Sequence, residues 1–202
     1  MLEQSVSAFA RSLADKTPVP GGGGAAALAG ALAAALGSMV CRYTLGKPKY
    51  AAVEVDIERI LAAADGLRLE LLSCVEADAV AFEPLSRAYA LPKDAPDRQS
   101  VMDRCLTAAA EVPLRVMRLA AQGIALQYEL AQKGSVLIVS DAGAGAALFR
   151  AALYAADLNV RVNTKSLSDR AAAAALDAQA EEYLRSAALA DETYRLVYGR
   201  VC

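Results

Sequence analysis

The chain has 202 residues, 56% of them hydrophobic and 5% aromatic, with a formal charge of −2 and no histidine. Its length suits one domain with a real core, and the lack of any basic block or of aromatics interleaved with Lys and Arg gives nucleic-acid binding no electrostatic support. Without histidine, Ser-His and Cys-His nucleophiles are excluded, a zinc or non-haem iron site loses its commonest ligand, and acid–base chemistry falls to Asp, Glu, Lys, Tyr or Cys.

Alanine and leucine supply most of the apolar content, which favours helix over strand. Residues 2–15 form a first amphipathic helix in this reading. Thr17 to Cys41 carries no charge. Its truly apolar part begins only at Ala25 and is Ala- and Gly-rich, short of what a membrane span needs. Lys16 to Gly24, with two prolines and four consecutive glycines, reads as a loop. From Ala25 to Leu45 the chain is apolar on every face, which predicts a central helix buried all round. Gly30, Ala33, Ala34 and Gly37 on it allow a neighbouring helix to come close, and Gly46-Lys-Pro-Lys49 ends it.

A long helix is expected from Tyr50 to Tyr89, with Val53, Ile57, Ile60, Leu61, Ala64, Leu67, Leu71, Val75 and Phe82 at helical spacing. Leu91 to Pro96 is a loop. Another helix runs over 97–132, kinked at Pro113, a short one over Ala142–Asp157, and a last one over Asp169–Tyr198. Val136–Val139 and Asn159–Asn163 read as possible extended segments. Val136 to Gly145 resembles strand, glycine turn and helix, but the third glycine and the parallel sheet of a dinucleotide site are missing. The expected fold is all-α: one domain, 1–202, an up-and-down bundle of long helices around a buried Ala/Gly-rich helix. Cys41, Cys74, Cys105 and Cys202 form no metal-type pair and read as reduced thiols. The N-terminus has no signal-peptide pattern, and the expected location is the cytoplasm.

Asp78 is the most informative polar residue. It shares a helix face with Leu71, Val75, Phe82 and Leu85, so a carboxylate lies on an apolar face. It must find a cationic partner or hold a raised pKa. Glu76 and Glu83 fall off that face. Gly21–Gly24 reads equally as a turn or as an anion-binding helix start, without the Lys-Ser/Thr of a P-loop. Ser140-Asp141 reads first as a helix N-cap and second as a ligand-holding carboxylate. Asn163, Thr164, Lys165, Ser168 and Asp169 are in part capping residues. Lys47, Lys49 and Tyr50 are solvated or form an anion cluster. Glu111 is a surface carboxylate or lines a groove near the kink.

Taken together, Thr17-Pro-Val-Pro-Gly-Gly-Gly23, the helix through Ser38-Met-Val40, Gly46-Lys-Pro-Lys-Tyr50, Asp78 to Phe82, Glu111-Val-Pro-Leu114, Ser140-Asp-Ala142 and Asn159-Val-Arg-Val-Asn163 resemble the cyclodeaminase/cyclohydrolase family, in order and across almost the whole chain. The chain departs from the family pattern at Gly24-Ala25, where serine is common, at Lys133-Gly-Ser135, where an asparagine is usual, and after Asn163. The resemblance implies a homodimer whose clefts are shaped by both chains. It also implies a tetrahydrofolate derivative as substrate, with no metal or other cofactor. The implied reaction is methenyltetrahydrofolate cyclohydrolysis to 10-formyltetrahydrofolate, or formiminotetrahydrofolate cyclodeamination with release of ammonia. A non-catalytic folate-binding or assembly dimer is the rival of another class, an unrelated helical scaffold a third. On this reading Asp78 and Asp141 are the catalytic carboxylates. Pro20, Gly21, Gly22, Gly23, Lys47, Glu111, Ser140 and Asn163 hold substrate, Lys47 and the glycine amides taking its anionic groups.

Overall fold

The computed structural model describes residues 1–202 and is all-helical, with no strand. Seven α-helices follow one another: α1 (Val6–Ala14), α2 (Gly22–Thr44), α3 (Glu54–Tyr89), α4 (Arg98–Lys133), α5 (Val139–Thr164), α6 (Arg170–Leu184) and α7 (Ala187–Val201). Helices α2, α3, α4 and α5 close a ring in which each packs on its two neighbours, and α7 lies against α4 and α5.

Neighbours in the ring run antiparallel, as their cross-links show. Between α2 and α3, Asp78 takes the Gly24 N–H and Ser38 donates to Asp65. Between α3 and α4, Arg59 reaches Glu129 and Arg115 reaches Glu70. The small residues of α2 do what their size permits. A methyl group at Gly30 would lie 3.1 Å from Leu71 of α3, and one at Gly37 2.9 Å from the Gln127 amide of α4. Gln127 uses that closeness to donate to the Ala33 carbonyl at 2.8 Å.

Four expectations are corrected. The glycines are not all loop: α2 begins at Gly22, so Gly22 to Gly24 form its first turn. Segment 136–138 is a single 3₁₀ turn, and 159–163 is the last part of α5, which is 26 residues long. Val139, Ala142, Ala146, Phe149, Leu153, Ala156 and Val160 are all buried, a helical stripe. Packing that stripe against α2 and α4 outweighs the β-preference of a short Val/Ile run. The final helix breaks at Arg185-Ser186 into α6 and α7, each of which packs on both α4 and α5. Finally, α2 is not covered all round: Leu32 and Tyr43 are each 54% exposed.

Both α2 and the 136–164 stretch are apolar and long enough to cross a membrane, yet 61% of the α2 window is buried inside the fold. That is the pattern of a core helix.

Candidate active site

Helix α2 starts without a side-chain cap. Its N-cap is Gly21, and no hydroxyl or carboxylate from its own segment serves the first amides. A helix start leaves N–H groups without intrahelical acceptors. Asp78, projecting from α3, supplies the missing oxygen: its Oδ2 accepts from Gly24 N–H at 2.9 Å. The cap is therefore tertiary. The predicted alternatives for Asp78 were a cation or a raised pKa, and the second is found. Burial pushes its carboxyl above the ordinary aspartate value, against the opposing pull of the Gly24 hydrogen bond. No lysine or arginine lines the cleft in which it sits.

The glycines make this approach possible. A methyl group on Gly23 would lie 2.1 Å from Asp78 Oδ1, well inside van der Waals contact. Side-chain absence, rather than backbone freedom, is what Gly23 contributes. At the glycine junction it is the protein's own carboxyl group that takes the Gly24 amide.

The cleft has a volume of about 160 Å³. Gly21, Gly22, Gly23 and Asp78 form one wall; Ala109 of α4 and Asn159, Val162 and Asn163 of α5 form another; Pro18, Val19 and Phe82 close the rim. Pro20 is buried behind the rim, after a cis Val19–Pro20 bond. Asn163 donates to the carbonyls of Asn159 (2.8 Å) and Ala109 (3.4 Å), tying α5 to α4. Asn159 donates to Ala155 at 2.8 Å, and its side chain stands against Gly22.

Of the predicted site residues, the structure brings together Asp78, Gly21, Gly22, Gly23 and Asn163, with Pro20 beside them. It sets the others elsewhere in the protomer. Glu111 lies two positions beyond Ala109 on α4, hence on another side of that helix, in a shallow hollow with Asp103, Arg104 and Asp169. Ser140 and Asp141 are at the start of α5, roughly 33 Å from Asn163 at the helical rise. They are not the N-cap, which is Ile138; they lie in the first turn, and Ser140 borders a hollow with Tyr194 and Tyr198. Asp169 does cap, accepting from the amides of Ala171 and Ala172. Lys47 follows the far end of α2, its ammonium 6.0 Å from the Tyr43 ring centre. Nearby, Tyr50 accepts from Val136 N–H at 3.1 Å.

The sequence singles out neither Ala109, Asn159 and Val162 of the walls nor Pro18, Val19 and Phe82 of the rim as site residues. Asn159 had a signal, because it precedes Asn163 by one helical turn. Reading 159–163 as extended spread the two amides roughly 13 Å apart instead of roughly 6 Å.

Comparison with known proteins agrees with this architecture. The family model for formiminotransferase-cyclodeaminase matches residues 5–182. The chain is 39% identical over 203 residues to a methenyltetrahydrofolate cyclohydrolase of Methylorubrum extorquens, covering 98% of both chains. It is 32% identical to the formimidoyltransferase-cyclodeaminase of Rattus norvegicus over 84% of this chain and 32% of that protein. Its fold superposes on the formiminotetrahydrofolate cyclodeaminase of Thermotoga maritima with a TM-score of 0.87 and 30% identity, over 99% of this chain and 96% of the other. A match running from the start of α1 into α6 takes in every wall of the Asp78 cleft, and it places the chain in the formiminotransferase-cyclodeaminase family.

Proposed function

We propose that this protein is a methenyltetrahydrofolate cyclohydrolase, adding water to 5,10-methenyltetrahydrofolate to give 10-formyltetrahydrofolate. The observation that carries the reading is Asp78: a half-buried carboxylate of raised pKa, held by a backbone amide, in a cleft without cations. The full-length similarity to a protein named for this reaction supports it.

The methenyl carbon bridges N5 and N10 as a cationic amidinium, so a lone carboxylate complements its charge. Asp78 takes a proton as water oxygen bonds to that carbon, leaving a neutral tetrahedral carbinolamine. It then returns the proton to N5 as the N5–C bond breaks. The hydroxyl proton leaves to solvent as the formyl C=O forms on N10. One group serves as base and then acid, and a pKa shifted toward the working pH suits both roles. Asn159 and Asn163 are placed to orient the pterin.

The likeness to a cyclodeaminase of known structure favours a second reading, in which the same carboxylate protonates departing ammonia from 5-formiminotetrahydrofolate. One assay separates the two. Loss of the near-ultraviolet absorbance of methenyltetrahydrofolate on adding protein is the expected result. Its growth from the formimino compound marks the cyclodeaminase, and folate binding with neither change overturns both.

The reading includes a homodimer. Along α2 the residues Ala29, Leu32, Leu36 and Met39, and along α5 Ala147, Ala151, Tyr154 and Leu158, recur at spacings of three and four with no charge among them. Leu158 and Val162 are 69% and 66% exposed. Two adjacent apolar stripes of this kind support a helical interface along this face. A two-fold axis in that plane, perpendicular to the helices, makes the stripes antiparallel across the interface. It sets the Asp78 end of one protomer against the Lys47 and Asp141 end of its partner, whereas the parallel arrangement would bring like ends together. Asp141 and Lys47 would then serve the neighbouring site rather than their own.

A further inference from the structure

The Asp78 cleft is too small for a whole folate. Its volume of about 160 Å³ is below the several hundred that pockets for such ligands enclose. A second cavity of about 460 Å³ adjoins it, and Pro18, Val19 and Phe82 border both. This groove continues along the same face of α3, past Ala79 and Val80, to Glu83, Ser86 and Arg87. Its near end is apolar and its far end carries a cation. From Asp78 to Arg87 is about 13 Å along the helix axis, a span of the order bridged by an aminobenzoyl ring and one amide.

We propose that this groove seats the p-aminobenzoyl-glutamate arm of the substrate, the ring lying on Val19 and Phe82 and Arg87 pairing with a glutamate carboxylate. The assignment rests on the folate reading above and adds a specificity site to it. In the free protein Arg87 is paired with Glu83 one turn earlier, with the two side chains 78% and 64% exposed. An exposed pair of that kind is worth little. A planar guanidinium meeting a carboxylate in two parallel hydrogen bonds is stronger, so the arm displaces Glu83 at small cost. Glu83 then keeps the guanidinium positioned and tests the incoming anion.

The test compares methenyltetrahydrofolate with methenyltetrahydropteroate as its uncharged carboxamide, which has the same reacting centre and ring but neither the glutamate nor a free carboxylate. Wild-type protein is expected to show a KM about tenfold lower for the folate, the loss of one charged hydrogen-bonded contact being of that size. Arg87→Gln should raise the KM for the folate to that for the pteroate, and Glu83→Gln should lower the folate KM several-fold. Neither change alters the core, since both side chains are exposed. If Arg87→Gln keeps the wild-type ratio of the two KM values, the seat is overturned and the function stands. If wild-type protein turns over neither compound, the function is overturned and the seat with it.

Discussion

Asp78 combines two duties that pull in opposite directions. As the cap of α2 it is best ionised, because an anion at a helix start gains from the amides and dipole there. As a half-buried group it is best neutral, and burial is the larger effect. Asp78→Asn keeps an oxygen for the Gly24 N–H but cannot carry the proton, so turnover should fall roughly 10²-fold or more. The pH profile checks the assignment. Wild-type kcat/KM should fall as pH drops through the Asp78 pKa, at a pH above that of an ordinary aspartate, and the variant should lack this limb. The stability consequence has a definite sign. A carboxyl whose folded pKa is raised binds protons more tightly in the native state. It therefore weakens the fold as pH rises from the unfolded value through the folded one. At neutral pH the Asn variant should melt no lower than wild type, an outcome read from Tm.

The start of α2 shows how a helix terminus becomes a site. A glycine costs a helix about 1 kcal/mol relative to alanine, and three stand in the first turn. Gly23 is there because a side chain would occupy the space of the Asp78 carboxylate. Gly23→Ala regains helix propensity but drives Asp78 from the Gly24 amide, losing a cap worth about 1 kcal/mol. The two nearly cancel, so the melting temperature should barely move. A displacement of about 1 Å can still cost roughly 10²-fold in rate, and steady-state kinetics beside a thermal melt would expose that separation. Much of this element was legible beforehand. Periodicity located α2 and α3 and put Asp78 on the face of Leu71 and Val75. What it missed was that the glycines are helical, because glycine runs are poor helix formers and only an acceptor brought by another helix stabilises that turn. Segment 159–163 was misread for a related reason: its β-branched residues favour a strand locally, and the burial that makes it helical is tertiary.

For the molecule as a whole, the geometry separates within one protomer the two carboxylates, Asp78 and Asp141, that the family resemblance pairs. Asp141 stands at the opposite end of α5 from the cleft, and within one protomer it cannot reach Asp78. The proposed antiparallel dimer predicts a specific rescue. Asp78→Asn and Asp141→Asn proteins, each inactive alone, should regain activity on the order of a quarter of wild type when unfolded and refolded together, since half the dimers are mixed and each has one intact site of two. No recovery in the mixture would show that Asp141 is not supplied across the interface. The sequence by itself determined the helical class, the positions of the main helices and the carboxylate on an apolar face. These follow from propensity and periodicity, which act within a few residues. The tertiary structure alone decided that Asp78 caps α2, that Asn159 joins the cleft, and that Lys47, Ser140, Asp141 and Glu111 lie away from it. Those outcomes depend on the direction in which each helix runs past its neighbours, and no local pattern encodes that.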